Sequence, residues 1–162
     1  MTGTLVADRI VELLKREGAE HVVGFPENRL LNSAAVAGLR PIITRTERVA
    51  VNIADGFARA TNGDRILPCV AQYGPGAEAA FAAVAQAYGD RSPILLLPSE
   101  HAVAAQEDPQ VRSETVYRPI TRFAATVNDA ARGPEIFRRA FNALRGPRNG
   151  PVLVTVANDV LN

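Results

Sequence analysis

The chain has 162 residues, of which 47% are hydrophobic and 22% charged, and 18 basic against 17 acidic side chains leave a formal charge of +1. That length is about one domain's worth, and the composition is that of a globular protein, which excludes intrinsic disorder and collagen-like repeats. The basic residues form no block, which argues against a nucleic-acid partner.

The opening MTGTLVADRI carries no charged segment ahead of an apolar one, and no apolar run reaches the ~20 residues that span a bilayer. A cytoplasmic location with no membrane partner is therefore expected. Leu5, Ile10, Leu13 and Leu14 recur at helical spacing over 5–17, with Gly18 placed to stop the helix. A strand at 21–25 (HVVGF), a break at Pro26 and a helix over 28–37 follow. The alternation repeats as strand 41–45 and helix 47–61, strand 65–72 and helix 75–88, then strand 92–98. Cys69 lies inside the third apolar run and reads as a small buried hydrophobe; as the single cysteine, it excludes a disulfide within the chain and a CxxC metal site. Residues 101–117 are polar and aperiodic, which predicts a long loop with a short helical turn. A strand at 122–127, a helix over 133–144, a turn at 146–150 and a strand at 151–156 complete the series. Unbroken apolar strands separated by helices predict an α/β fold, with one doubly wound, mostly parallel sheet of about six strands between two helical layers. One domain covering 1–162 is expected.

Ligands of open α/β sheets bind beyond the carboxyl ends of the strands, which draws attention to residues 24–27, 44–47, 72–76 and 99–101. Glu47 opens a helix whose polar face is Arg48, Asn52, Asp55 and Arg59 and whose apolar stripe is Ala50, Ile53, Ala54, Phe57 and Ala58. Its spacing from Ala50 and Ala54 turns it toward the apolar side. Two readings are open: an acid favoured by the helix dipole, or a functional acid whose pKa burial raises. YGPGAEAAF sets Gly74, Pro75 and Gly76 between a strand and an alanine-rich helix, and two readings are open: glycines that let a ligand approach the backbone, or a turn that merely joins the two elements. It matches neither GxGxxG nor a P-loop. His21 is expected at the far end of its strand, whereas His101 falls at the ligand edge, as a substrate contact or a plain loop histidine. No pair of His, Cys or carboxylate residues has metal-ligand spacing, and no serine sits in GxSxG.

Four segments in order resemble a known family: GAEHVVGFPENRLL; ITRTERVAVNIADGFARATN; QYGPGAEAAFAAVAQAYGDRSPILLL; and RPITRF with GPVLVTVANDVL. They resemble the N-terminal pyrimidine-binding domain of thiamine-diphosphate-dependent enzymes, in the acetolactate synthase and 2-oxoacid decarboxylase branch. The resemblance implies thiamine diphosphate as cofactor, with Glu47 as the acid that bonds N1′ of its aminopyrimidine and activates it for attack on a 2-oxo acid. It implies cofactor contacts from Pro26, Gln72, Gly74, Pro75, Gly76 and Gln110, and Mg²⁺ held with the diphosphate by GDG and NN motifs. Neither motif occurs in these residues. The expectation is thus one subunit of a heteromeric decarboxylase or carboligase, dimeric or tetrameric, of the split kind that sulfopyruvate decarboxylase represents. A separate diphosphate-binding subunit would carry GDG, NN and the metal, and the small residues Ala77, Ala80, Ala83 and Ala87 suit packing against it. Four positions depart from the family pattern: Thr46 stands for histidine, Ala79 for the asparagine after GPG, and Glu27 with Asn28 for Gly-Gly. The alternative is a non-catalytic homologue serving as an interaction or regulatory domain.

Overall fold

Runs such as HVVGF, SPILLLP and PVLVTV place apolar side chains on both faces of a strand, so the sheet built from them must be covered from two sides. The computed structural model describes residues 5–105 and 111–161 and shows how this is done. In chain order the elements are α1 (Val6–Arg16), β1 (His21–Phe25), α2 (Asn28–Val36), β2 (Arg40–Ile43), α3 (Glu47–Ala60), β3 (Cys69–Ala71) and α4 (Pro75–Gly89). There follow β4 (Leu95–Glu100), a short α5 (Ser113–Tyr117), β5 (Phe123–Val127), α6 (Gly133–Arg145) and β6 (Val152–Ala157). The six strands form one sheet in the order β2-β1-β3-β4-β6-β5, and every pairing is parallel. The expected α/β class, strand number and three layers are all present.

Strand side chains alternate between two cores. Val22, Val70, Leu95, Leu97, Val152 and Val154 face α1, α2 and α6. Val23, Cys69, Ala71, Leu96 and Leu153 face α3, α4 and Tyr117 of α5. Cys69 is fully buried, and burial pushes its thiol up, with the charge of Glu47 adding to the effect. It is the small hydrophobe its apolar run suggests.

Several boundaries differ from the sequence reading. The third strand is only Cys69–Ala71 rather than 65–72, because Pro68 has no N–H and joins the sheet through its carbonyl alone, accepting from Val23 N at 2.9 Å. The fourth is Leu95–Glu100 rather than 92–98: Pro93 delays its start, and Ser99 and Glu100 pair with Val156 and Ala157 of β6. On α3 the buried face is Glu47, Ala50, Val51, Ala54, Asp55 and Ala58, whereas Ile53 is 38% exposed. Asp55 tolerates burial because Arg59 Nε donates to both its oxygens, at 3.0 and 3.1 Å. The alanine stripe of α4 is a further correction. Ala77, Ala80, Ala83 and Ala87 are buried within this chain, where their small size lets α4 lie close to α3 and the sheet. They are not a surface for a partner.

Candidate active site

Parallel pairing brings the loops after β1, β2 and β3 to one edge. Phe25 of β1 is level with Ala71 of β3, so Pro26 and Gln72 leave neighbouring strands side by side. Gly24 of β1 is level with Ile43 of β2, and Thr44 N continues the ladder to Gly24 O at 3.1 Å before the chain turns into α3. Thr46 caps that helix: its hydroxyl accepts from Val49 N at 3.3 Å, while Thr44 Oγ1 donates to Thr46 O at 2.9 Å. Glu47 is thereby fixed as the first residue of α3 with its side chain turned inward, and it is 8% exposed.

The other half of the arrangement is the turn from β3 into α4. Gly74 takes φ +61°, a conformation that residues with a Cβ rarely adopt, and Pro75 starts α4 with a φ already suited to a helix. Gly76 matters for space instead. A Cβ there would stand 2.7 Å from Glu47 Oε1 and 3.0 Å from Gln72 Cβ. Glu47, Gln72 and Gly76 therefore converge, 29 residues apart in sequence at the widest. The Glu47 carboxylate has no hydrogen-bond or ion-pair partner among the described residues. A buried acid held against backbone and left without a protein donor is available to a donor on a ligand. The inward orientation expected from helical spacing is thus observed.

His101 follows β4 and leans on the same turn. Its Nε2 is 4.0 Å from where a Gly74 Cβ would lie, and its ring meets that of Tyr73 edge-on at 4.7 Å. Tyr73 N in turn donates to Ser99 Oγ at 3.2 Å. His21 begins β1, at the opposite end of the sheet from Glu47. Gln110 lies outside the described residues. Pro26 and Gln72 are exposed, and Gly74 and Gly76 are buried.

Two acids escaped the sequence reading as structural parts of this edge. Glu27 is 5% exposed, and its carboxylate accepts from Leu30 N at 2.7 Å as the cap of α2. Burial pushes its pKa up, against the lowering pull of the Leu30 and Arg29 N–H groups and the Arg29 charge. Glu100 is also 5% exposed, and its two oxygens accept from His101 N at 3.1 Å and Ser113 N at 3.2 Å, tying the end of β4 to the start of α5. The sequence signal for each was an acid directly at the carboxyl end of an apolar run. Tyr117 donates to Ala77 O at 2.5 Å, locking α5 onto the first turn of α4, and burial pushes its phenol up.

Among the described residues no group of three His, Cys, Asp or Glu side chains converges as a metal site, and no helix is long and apolar enough to cross a membrane. Residues 4–119 match the family described as thiamine pyrophosphate enzyme, N-terminal TPP binding domain. The probable acetolactate synthase large subunit of Methanocaldococcus jannaschii is 31% identical over 160 residues, covering 95% of this chain and 27% of the relative. The acetolactate synthase isozyme 3 large subunit of Escherichia coli K12 is 31% identical over 166 residues, covering 96% and 28%. Glyoxylate carboligase of Escherichia coli O157:H7 is 33% identical over 161 residues, covering 94% and 27%. The chain thus spans just over a quarter of the length of the curated relatives it matches. By the match over residues 4–119 and these relatives, the chain belongs to the N-terminal TPP-binding domain family of thiamine pyrophosphate enzymes, on the side of acetolactate synthase and glyoxylate carboligase.

Proposed function

We propose that this chain is the pyrimidine-binding subunit of a heteromeric thiamine-diphosphate-dependent decarboxylase or carboligase that acts on a 2-oxo acid. The observation that carries the reading is the Glu47 carboxylate, buried, without a donor among the described residues, and seated where a side chain on Gly76 would displace it. Such an acid suits the aminopyrimidine of the cofactor, because a carboxyl oxygen facing ring nitrogen N1′ can share a proton with it. Thiamine diphosphate, when bound, supplies the nucleophilic thiazolium carbon that adds to the keto carbon of the substrate.

The chain's own residues do the positioning. Gly74, Pro75 and Gly76 let the ring approach the backbone, and Pro26 and Gln72 flank it from adjacent strands. Gln110 belongs to the cofactor contacts by its place in the family pattern. His101, resting on the turn, is the candidate to meet the substrate carboxylate. The diphosphate and Mg²⁺ fall to a partner subunit carrying GDG and NN motifs. Relatives named as acetolactate synthase and glyoxylate carboligase support carbon–carbon bond formation between 2-oxo acids as the reaction class.

The test is native purification of the protein from its own cells, with mass spectrometry of what accompanies it and an assay of bound thiamine diphosphate. Co-purification with a GDG- and NN-bearing chain and cofactor is the expected result. The chain recovered alone and cofactor-free would overturn the proposal in favour of a non-catalytic homologue.

A further inference from the structure

A cleft of about 520 Å³ adjoins the candidate site at one end, where Glu100 and His101 line it, and runs on past it, with none of Glu47, Gln72, Gly74 or Gly76 in its lining. Four consecutive residues of β5, Phe123 to Thr126, form its floor. Successive strand side chains point to opposite faces, so a cavity that touches all four is open to the strand's edge and not to one face. β5 pairs with β6 alone and ends the sheet, and an edge strand presents a row of N–H and C=O groups to whatever lies beside it. The small side chains of Ala124 and Ala125 leave that row accessible. One wall is α5 with the residues that flank it, Arg112, Glu114 and Arg118; the other is the first half of α6 with its cap, carrying Arg132 and Arg139.

The acids of the cleft are engaged in its walls. Glu114 pairs with Arg118 at 2.6 Å and accepts from Thr126 Oγ1 at 2.9 Å, and Glu100 is held by the two N–H groups already described. The Arg139 guanidinium lies 5.1 Å over the Phe123 ring, and the Arg132 side chain has no hydrogen-bond or ion-pair partner among the described residues. Those two cations face the cleft seven positions apart on one helix and its cap, about 10 Å along the axis. A compact anion reaches one of them; an extended chain of about three residues covers both.

We propose that the β5 edge is a docking groove for an extended acidic segment of a partner protein. The segment adds as a seventh strand beside Phe123–Val127, its backbone bonded to the free edge and its carboxylates set against Arg132 and Arg139.

The probe is a fluorescein-labelled hexapeptide of alternating glutamate and valine, titrated into the whole chain and followed by anisotropy. A second peptide, N-methylated at alternate residues, keeps the charge and cannot complete the ladder. Saturable binding is expected, at least tenfold weaker for the N-methylated peptide and at least tenfold weaker in the R132E/R139E protein, with slowed amide hydrogen exchange at residues 123–127. Absence of saturable binding overturns the proposal. So does equal binding of the N-methylated peptide, or binding of inorganic pyrophosphate as tightly as the hexapeptide, since either assigns a site for charge alone. The N-methyl comparison leaves the protein unaltered, so it does not depend on how the charge-reversed variant folds.

Discussion

Gly76→Ala tests the geometry on which Glu47 depends. The added Cβ would stand 2.7 Å from Glu47 Oε1, where ordinary contact begins near 3.4 Å, so the carboxylate must retreat by about 0.7 Å. Overpacking of this kind costs about 1–3 kcal/mol, and alanine in place of glycine within a helix returns about 0.5–1 kcal/mol. A net loss of roughly 0.5–2 kcal/mol should lower Tm by a few degrees. In a Glu47→Ala background the contact with Oε1 is gone and only Gln72 Cβ, at 3.0 Å, remains crowded. The same substitution should then cost about 1 kcal/mol less, a coupling of the size found between side chains in contact. Urea unfolding of the four proteins, followed by circular dichroism, measures that coupling directly. In the assembled enzyme the displaced acid should lower turnover by at least about tenfold, given that a 1 Å misplacement can cost about a hundredfold. An additive cycle, with coupling below about 0.3 kcal/mol, would refute the reasoning because the two residues would not meet.

Glu47→Gln should leave the urea midpoint nearly unchanged and reduce turnover of the assembled enzyme by about a hundredfold or more, the usual share of a positioned proton donor; undiminished turnover sinks the assignment. Because burial raises the Glu27 pKa above its ordinary 4.5, the native state holds that proton more tightly than the unfolded chain. This contribution to stability falls as pH rises from about 4.5 through the native pKa. Glu27→Gln keeps an acceptor for Leu30 N and should flatten that part of the pH–stability curve; an unchanged slope would place the titration elsewhere. Tyr117→Phe removes the donor to Ala77 O and should cost about 1 kcal/mol in urea unfolding, while a neutral result would mean that α5 is not held to α4 by that bond.

Much of the fold was legible because strand and helix periods differ. The runs at 21–25 and 151–156 and the helix opening at Glu47 stand within a residue or two of where the sequence puts them. The inward turn of Glu47 was legible for the same reason: one helix's periodicity is local information. Its meeting with Gly76 was not, because it depends on which strands are neighbours and at what level. Ile53 and Asp55 exchanged places because an ion pair with Arg59 made a buried acid tolerable, and spacing alone cannot show that pair closing. The α4 alanines carried a signal for close packing but none for which body they pack against. The open edge at β5 was hidden as well: β6 inserts between β4 and β5, and nothing in the chain order announces it.

That insertion has a consequence for how the molecule is made. Until residues 152–157 leave the ribosome, β4 has no neighbour on that side and Phe123–Val127 have no strand to join. For that interval the half-built sheet exposes a row of leucines at a sticky border, the state in which nascent chains cross-associate. Pro98 sits within that strand and carries no N–H, and the register between β4 and β6 passes over Leu97 and Pro98. The proline therefore spoils the border as a template for a foreign strand, and the correct strand joins on either side of it.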